Sequence, residues 1–265
     1  MNLGKQVRLN RIFAHPSGNL CSVAVDHYIG YGAGLPDGLR RIVPTLAAVA
    51  AAGPDAVTMH KGIAASAWGP YAGRIPWIVQ STLARPDDTA REQVATPEDA
   101  VRLGADAIAI AAFVRGSTEG IYYRAVADCV RDAVRFDLPV ILHIYPRDVK
   151  TNQISYTPED IAWAVRGAVE MGVDVVKTPY CGDVASYAQI IGDCPVPLVA
   201  AGGPKTDTFR AALEMMSHVM QAGARGATIG RNIWGFPQIG AAVEAFKAVI
   251  HDGATADEAL QRAGL

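Results

Sequence analysis

The chain of 265 residues has few of the features that mark several large protein classes. No apolar run approaches the ~20 residues of a membrane span, and the first residues, MNLGKQVRLNRIF, lack the apolar segment of a secretory signal. The formal net charge is only −2, so the sequence has no basic footprint for nucleic acid or an anionic membrane. We therefore expect neither nucleic acid nor a membrane as a partner.

Paired cysteines and metal-binding motifs are also lacking. The four cysteines, at positions 21, 129, 181 and 194, are far apart and form no CxxC motif, which predicts free thiols in a reduced, cytoplasmic protein. Neither the H-x-H nor the H-E-x-x-H motif of zinc hydrolases occurs. We therefore predict no cofactor and no metal site, and a metal hydrolase that uses His27, His60 and His143 stays as an alternative.

Apolar residues, by contrast, make up 50% of the chain and occur in repeating units. Four similar stretches, AGPDAVTM, LGADAIAI, MGVDVVKT and AGARGATI, each place a glycine before a short apolar run. The glycine suits the end of a helix, and the run suits a buried parallel strand. The segment TPED, at 96–99 and 157–160, has the threonine, proline and acidic residues of a helix start.

These units predict eight strands alternating with helices. We place the strands at Leu20–Val25, Asp55–Met59, Trp77–Gln80, Ala107–Ala111, Val140–Ile144, Val173–Thr178, Leu198–Ala201 and Ala227–Ile229. Such a pattern in ~250 residues is typical of one (β/α)₈ barrel, or TIM barrel, here a single domain over residues 1–265. The alternative, an open doubly wound sheet, needs a G-x-G-x-x-G motif after its first strand, and DHYIGYGAGLPDG does not contain one.

Polar side chains gather where the predicted strands end, which in a barrel is the side of the active site. Among them are Asp26, Tyr145 and Lys177, after the first, fifth and sixth strands. Alternation along a strand puts Lys177 on the face of Val173 and Val175. If that face and its counterparts on the other two strands point into the barrel, the three polar side chains converge at its rim.

Lys177, which ends the buried run VDVV, carries the most specific chemistry. A lysine in this position can simply extend its amine to water. Next to apolar walls and another cation its pKa falls instead, and the amine becomes a nucleophile that forms an iminium with a ketone. Tyr145 then exchanges a proton with the substrate, and Asp26 binds substrate hydroxyls or orients the proton donor. For Tyr145 and Asp26 the alternative is a structural role, as an aromatic residue of the barrel wall and as a helix-capping or loop carboxylate, respectively.

Two glycine-containing loops, AAGGPKT and TIGRNIWG, follow the seventh and eighth strands. Barrels often bind phosphate at these positions, through backbone N–H groups and the start of a short helix. Gly202 and Gly203 let the backbone approach an anion closely, and Arg231 adds a permanently charged fork. The alternative is a pair of ordinary turns with a surface arginine.

The sequence resembles the DeoC/LacD-type class I aldolases, in particular the branch that holds archaeal-type fructose-1,6-bisphosphate aldolases, aminodideoxyheptulosonate synthases and autoinducer-2-phosphate thiolases. The resemblance covers nearly the whole chain. It is carried in order by GKQVRLNRIF, VAVDH, MHKG, GADAIAI, YPRD, VDVVKTPYCGD, AAGGPKT and GATIGRNIWG. These blocks are specific to the superfamily and not to one substrate. Family members are commonly decamers or other ring-like oligomers, so the resemblance implies a homo-oligomer.

The resemblance also implies roles for single residues. Lys177 would form the Schiff base, Tyr145 would be the acid/base, Asp26 would lie against the reacting carbons, and Arg147 would lie beside the substrate. Together with the loops above, it leads us to predict one set of substrate- and phosphate-binding residues. That set is His27, His143, Arg147, Gly202, Gly203, Lys205, Gly230 and Arg231.

Two departures from the family pattern concern the substrate. Relatives have glycine and a short loop after the aspartate–histidine pair, whereas this chain has Tyr28 and the longer loop Tyr28–Gly38. We expect this loop to overhang the mouth of the barrel and to alter the binding of the aldehyde half. His143 stands where relatives vary, and it would bind the substrate or shift the pKa of Tyr145.

The sequence thus predicts a class I aldolase that cleaves or forms a C–C bond in a phosphorylated ketose. Dihydroxyacetone phosphate or a similar ketone phosphate would be released with an aldehyde. The alternatives are a Schiff-base transaldolase or thiolase-type acyl transferase on a similar substrate, and a non-catalytic barrel that binds sugar phosphates.

Overall fold

Eight parallel strands form a closed barrel in the computed structural model, which describes residues 2–31 and 34–265. The barrel strands are β1 (Leu20–Ala24), β2 (Ala56–Met59), β3 (Trp77–Gln80), β6 (Ala107–Val114), β7 (Val140–Pro146), β8 (Val175–Thr178), β9 (Leu198–Ala201) and β10 (Gly226–Ile229). Each pairs with its neighbours in chain order, and β10 pairs with β1 to close the ring. The predicted (β/α)₈ barrel is confirmed.

Helices connect the strands and pack around the outside. They are α1 (Leu3–Ile12), α2 (His27–Tyr31), α3 (Asp37–Arg40), α4 (Ile42–Ala51), α5 (Lys61–Ala67), α6 (Pro97–Arg102), α7 (Glu119–Val134), α8 (Pro158–Glu170), α9 (Val184–Gly192), α10 (Phe209–Gln221), α11 (Arg231–Trp234), α12 (Ile239–Asp252) and α13 (Ala256–Ala263). Among the described residues, none of these helices has the length and apolar character needed to cross a membrane.

The helix signals in the sequence correspond to real caps. Thr96 and Thr157 each accept a hydrogen bond from the backbone N–H three residues later, and a proline follows each of them at the helix start. The four glycines predicted to end helices, at 53, 104, 172 and 223, all have positive φ, between 60° and 91°. Local backbone chemistry therefore sets the boundaries of the repeating units.

The predicted strands agree with the observed ones to within about three residues, with one correction of orientation. Val173 was expected on the inward face with Val175 and Lys177. It precedes β8 and packs in the cluster between barrel and helices, whereas Val175 lies in the barrel interior. The intervening Asp174 explains the difference, because its carboxylate accepts the backbone N–H of Val140 and pairs with Lys5 at the strand entrance.

Nine buried residues fill the lower barrel interior. They are Ile12, Leu20, Ala56, Ile78, Ala107, Ala109, Ile141, Val175 and Val199. Eight come from strands, but Ile12 is the last residue of α1, which therefore closes the amino-terminal end of the barrel as a plug. This helix was not among the predicted elements.

A short antiparallel hairpin, which was also not predicted, follows β3 and covers part of the barrel mouth. It consists of β4 (Thr82–Ala84) and β5 (Arg91–Gln93). The turn between them is held by Asp88, whose carboxylate accepts hydrogen bonds from Arg147 at 2.8 Å, Thr118 at 2.7 Å and Tyr122 at 2.8 Å. We call these four residues the Asp88 clasp. Because the Arg147 guanidinium is fully buried, the clasp fixes the hairpin firmly to the barrel.

Truncation of the plug should destabilise the fold. Ile12→Ala leaves a cavity beneath the barrel, so we expect the free energy of unfolding to fall by about 2–5 kcal/mol. Leu3 lies on the same helix and is 76% exposed, so Leu3→Ala should stay within about 0.5 kcal/mol of the parent. Urea unfolding followed by circular dichroism measures both. Equal effects of the two substitutions would contradict the assignment of Ile12 as the plug.

Candidate active site

Two adjoining cavities open at the carboxyl end of the barrel strands. The deeper cavity lies beneath the hairpin, and the second extends to the loops after β9 and β10. They share His27, Pro86, Tyr145 and Lys177. Lys177 therefore stands where the two halves of one continuous cleft meet, which suits a group that must reach the middle of an elongated substrate.

Lys177 is almost completely buried, with 4% of its surface exposed. The pKa of its amine is lowered to about 8, mainly by burial; the Asp26 carboxylate opposes the shift, and the nearby Arg231 charge adds to it. At pH 7 an amine with this pKa is about one-tenth neutral, compared with roughly one part in 3,000 for an ordinary lysine. A substantial fraction of Lys177 is therefore the neutral amine, which is the form that can act as a nucleophile.

Asp26, just beyond β1, is held in a fixed orientation by two donors. Its Oδ1 is 3.1 Å from Nδ1 of His27, and its Oδ2 accepts a hydrogen bond from Nε2 of Gln80 at 2.8 Å. Burial alone would raise the pKa of the Asp26 carboxyl, but the hydrogen bond from His27 and the charges of His27 and Lys177 outweigh burial and hold the pKa below its ordinary value. Asp26 is therefore an anion in the cleft with both oxygens engaged.

Gln80 is a site residue that sequence reasoning overlooked. It ends β3, is 4% exposed, and bonds to Asp26, His143 and Thr82. The sequence could have identified Gln80, because it lies two residues after the inward-facing Ile78 and therefore shares its face of the strand. A polar residue on that face at a strand end belongs to the cleft by the same argument that located Lys177.

Tyr145 and His143 lie on the inward face of β7, next to Lys177. His143 pairs in register with Lys177 of β8, so the two side chains rise from adjacent positions. The ring of Tyr145 stacks on Phe113 with 5.5 Å between centroids, which fixes its plane at the junction of the two cavities. The predicted convergence of Asp26, Tyr145 and Lys177 is thus observed, since all three line the deeper cavity.

The two glycine loops form the far wall of the second cavity. Asn232, which is fully buried, donates to the carbonyls of Gly202 and Pro204 at 2.8 and 2.9 Å, and Arg231 donates to the carbonyl of Gly203 at 3.0 Å. The loop after β9 is therefore tied to the loop after β10. The side chain of Asn232 makes two of these hydrogen bonds between the loops, a role that was not part of the sequence prediction.

Glycine is required sterically in both loops. A Cβ on Gly230 would lie 2.4 Å from Cε1 of His27, and one on Gly202 would lie 2.9 Å from the Cα of Ile229. These close approaches bring His27 and the two loops together around the second cavity. The predicted residues His27, Gly202, Gly203, Gly230 and Arg231 all line it.

Two residues predicted to bind substrate do not line the cleft. The fully buried Arg147 points into the Asp88 clasp and also donates to the carbonyls of Pro86 and Phe113. Lys205 lines a separate cavity behind α11, with its amine 5.3 Å from the centroid of the Phe236 ring. Both therefore lie outside the cleft lining: Arg147 anchors the hairpin, and Lys205 lies on the outer side of the loop.

The segment Tyr28–Gly38 is only partly a loop. Tyr28 to Tyr31 belong to α2, and α3 begins at Asp37, whereas Gly32 and Ala33 lie outside the described residues. Tyr28 is 54% exposed and is not part of the cleft lining, although the hairpin contacts α2 through a hydrogen bond from Arg85 to the carbonyl of Ile29.

His60 lines the deeper cavity, and both of its ring nitrogens are buried without a hydrogen-bond partner. Within the described part of the chain, no group of three or more histidine, cysteine or acidic side chains is arranged to hold a metal ion. The metal-hydrolase alternative therefore has no ligand cluster among these residues.

Comparison with known proteins decides the family. A family model described as DeoC/LacD family aldolase matches residues 20–235. The chain belongs to the DeoC/LacD family of aldolases. It is 38% identical to the 2-amino-3,7-dideoxy-D-threo-hept-6-ulosonate synthase of Halobacterium salinarum, over 99% of this chain and 97% of that protein. It is 34% identical to the class 1 fructose-bisphosphate aldolase of Thermoproteus tenax, over 84% of this chain and 86% of that protein.

A solved structure agrees. It is that of an archaeal fructose-1,6-bisphosphate aldolase with its catalytic lysine covalently bound to the carbinolamine intermediate of the substrate. It superposes with a TM-score of 0.83 at 29% identity, covering 93% of this chain and 99% of that one. The protein is therefore an enzyme of the class I aldolase type, a lyase of a Schiff-base-forming family.

The opposing charges around Lys177 predict a characteristic pH dependence. The rate at which cyanoborohydride traps an unphosphorylated ketone, dihydroxyacetone, on Lys177 should rise nearly tenfold from pH 6 to 7 and level off above the pKa of about 8. Asp26→Asn removes the charge that raises this pKa, so the profile should move to lower pH. Arg231→Gln removes a charge that lowers it, so the profile should move to higher pH. Shifts in the same direction would show that these charges do not control the amine.

Proposed function

We propose that the protein is a class I aldolase acting on a phosphorylated ketose, with Lys177 as the Schiff-base lysine. The observation that carries the proposal is a buried lysine with a lowered pKa at the junction of two cavities, one of which ends in paired glycine loops. Each half of a cleaved ketose then has its own space. The phosphorylated ketone half lies toward the loops, and the aldehyde half lies beneath the hairpin.

Binding of the phosphate is assigned to the second cavity. Gly202, Gly203 and Gly230 leave room for close approach of an oxyanion, and Arg231 supplies the positive charge that balances it. Of the predicted phosphate contacts, Lys205 is left out because its amine lies over Phe236 behind the loop.

The reaction begins when the neutral amine of Lys177 attacks the substrate ketone, and loss of water gives the iminium. Tyr145 takes the proton of the hydroxyl next to the bond that breaks, so that the electron pair of that bond moves into the iminium. The buried Asp26 anion stabilises the positive charge of the iminium and binds substrate hydroxyls. The enamine that remains takes this proton back from Tyr145 at the carbon of the broken bond, which restores an iminium. Hydrolysis of that iminium then releases dihydroxyacetone phosphate or a similar ketone phosphate and restores the amine.

A transaldolase-type reaction is the second candidate. It uses the same iminium but passes the bound ketone half to a different aldehyde. The 38% identity with an enzyme named 2-amino-3,7-dideoxy-D-threo-hept-6-ulosonate synthase favours it, because a synthase is named for forming its product and not for cleaving it. The deeper cavity would then receive the acceptor aldehyde. Trapping the ketone half on Lys177 and adding aldehydes one by one separates this transfer from simple cleavage. A thiolase-type acyl transfer would be detected in the same assay by adding a thiol as the acceptor in place of an aldehyde.

Borohydride tests the covalent step. Incubation with dihydroxyacetone phosphate followed by reduction should add the mass of the reduced ketone to Lys177, as shown by peptide mass spectrometry. Tyr145→Phe should still form the adduct while turnover falls about 10²–10⁴-fold, because only proton transfer is lost. An unmodified Lys177 in the folded protein would refute the Schiff-base proposal and favour the non-catalytic sugar-phosphate-binding barrel.

Substitutions of Arg231 and Lys205 test whether the second cavity binds the phosphate, with Lys205 as the control. Removal of a charge-assisted contact costs about 1.5–3 kcal/mol, so Arg231→Gln should raise KM for a ketose phosphate by roughly 10–100-fold. Lys205→Met should leave it nearly unchanged, since that amine lies outside the cleft. Steady-state kinetics with phosphorylated and unphosphorylated ketoses measures both. An equal loss for the two ketoses in Arg231→Gln would argue against phosphate binding there.

Assembly and location are part of the same proposal. A homo-oligomer, in the family commonly a decamer, stays a prediction that light scattering on the purified protein tests directly. A cytoplasmic location likewise stays a prediction, consistent with the reduced cysteines expected from their spacing.

A further inference from the structure

The orientation of the Gln80 amide is set by its neighbours. The backbone N–H of Thr82 donates to Oε1 of Gln80 at 3.1 Å, and a backbone N–H can only donate. The Thr82 hydroxyl, which accepts from the N–H of Ala111 at 2.8 Å, donates to the same Oε1 at 2.9 Å. The oxygen of the amide therefore faces Thr82, and the NH₂ group faces the cleft.

This orientation determines which nitrogen of His143 carries a proton. Nε2 of Gln80 has two hydrogens and no acceptor capacity; it lies 2.8 Å from Oδ2 of Asp26 and 3.3 Å from Nδ1 of His143. Asp26 accepts one hydrogen, so Nδ1 of His143 must accept the other and cannot carry a proton. In a neutral imidazole the proton then resides on Nε2.

The surroundings keep this imidazole neutral. His143 is 4% exposed, and the charged or titratable groups that act on it are Lys177, Asp26 and His27. Burial, followed by the charge of Lys177, lowers the pKa of His143 well below its ordinary value, although Asp26 opposes this. Because the amide of Gln80 stands between Asp26 and His143, the carboxylate does not hydrogen-bond to the ring and make it an imidazolium.

We propose that Gln80 holds His143 as the Nε2–H tautomer, and that this N–H donates a hydrogen bond to the oxygen of the ketone that Lys177 attacks. The inference rests on the proposed function. As the N–C bond forms, the π electrons of the carbonyl move to its oxygen, which the N–H stabilises. The imidazole keeps its proton, since the hydrogen needed for the carbinolamine hydroxyl comes from the attacking nitrogen. A neutral imidazole can polarise a carbonyl in this way.

The register of the barrel supports this geometry. His143 and Lys177 are paired residues on adjacent strands, and both line the deeper cavity. A carbonyl carbon within reach of the amine therefore has its oxygen next to the imidazole. In these roles His143 is a catalytic residue, and Gln80 is a positioning residue that acts through it.

Nuclear magnetic resonance of ¹⁵N-histidine-labelled protein tests the tautomer without any reaction. With the signals of His143 assigned from the His143→Gln variant, we expect a bare Nδ1 and a protonated Nε2 between pH 6 and 8. Gln80→Glu, of the same shape, replaces the donor by an acceptor and should place a proton on Nδ1. Ser22→Ala, a buried polar change in the barrel that is not part of the cleft lining, should alter neither signal. A protonated Nδ1 in the parent protein would overturn the proposal.

Trapping kinetics tests the donor role. His143→Phe should slow borohydride-trapped adduct formation on Lys177 by about 100-fold, the effect of removing one such donor. His143→Gln, whose amide can donate from nearly the same position, should recover most of that loss. Equal rates for the Phe and Gln variants would refute the donor role while leaving the aldolase proposal intact. Absence of any adduct in the parent protein would refute both the donor role and the aldolase proposal. The tautomer of His143 is decided by the nuclear magnetic resonance spectrum alone.

Discussion

An amine held out of water at the rim of the barrel is the feature on which the rest of the site depends. The pKa of Lys177 is lowered to about 8, mainly by burial, while the opposite charges of Asp26 and Arg231 raise and lower it respectively. Each of those charges is itself held in place: Asp26 by His27 and Gln80, and Arg231 by the loop carbonyl of Gly203. The amine and the groups that set its pKa therefore form one electrostatic unit, and cavities lie on both sides of Lys177.

Much of this arrangement could be predicted because it follows from periodic patterns. Eight apolar runs, their helix caps and the alternation of side chains were enough to bring Asp26, Tyr145 and Lys177 to one rim. The elements that escaped prediction have no such pattern. Helix α1 is mostly polar, and only Ile12 at its end is fully inserted into the barrel. The hairpin consists of two three-residue strands, which are too short for alternation to be recognised.

Arg147 and Lys205 lie outside the cleft because the alternation of side chains along a strand does not extend to the loops that follow it. Arg147 was expected beside the substrate because the resemblance to the aldolases implies it. Strand β7, however, ends at Pro146, and Arg147 already pairs with Ile154 in an antiparallel bridge as the chain turns away. Its side chain enters the Asp88 clasp and fixes the hairpin above the cleft. Lys205 lies in an irregular loop, where no periodicity tells which side a side chain faces. Gln80 differs from both, since it follows the alternation along β3 and faces inward. It was missed because charged side chains at strand ends were considered before amides.

The buried amine also has a thermodynamic consequence for the whole fold. In the unfolded chain Lys177 titrates with the ordinary pKa near 10.5, whereas in the folded protein it titrates near 8. Between these values the unfolded chain binds more protons, so stability falls as the pH is lowered from 10.5 to 8 and stays reduced below that range. The shift corresponds to about 3 kcal/mol, a large fraction of the net stability of a typical domain. Folding near neutral pH therefore buries an ammonium group in a site that disfavours it, and the apolar packing of the barrel interior, which includes Ile12, helps to offset that cost.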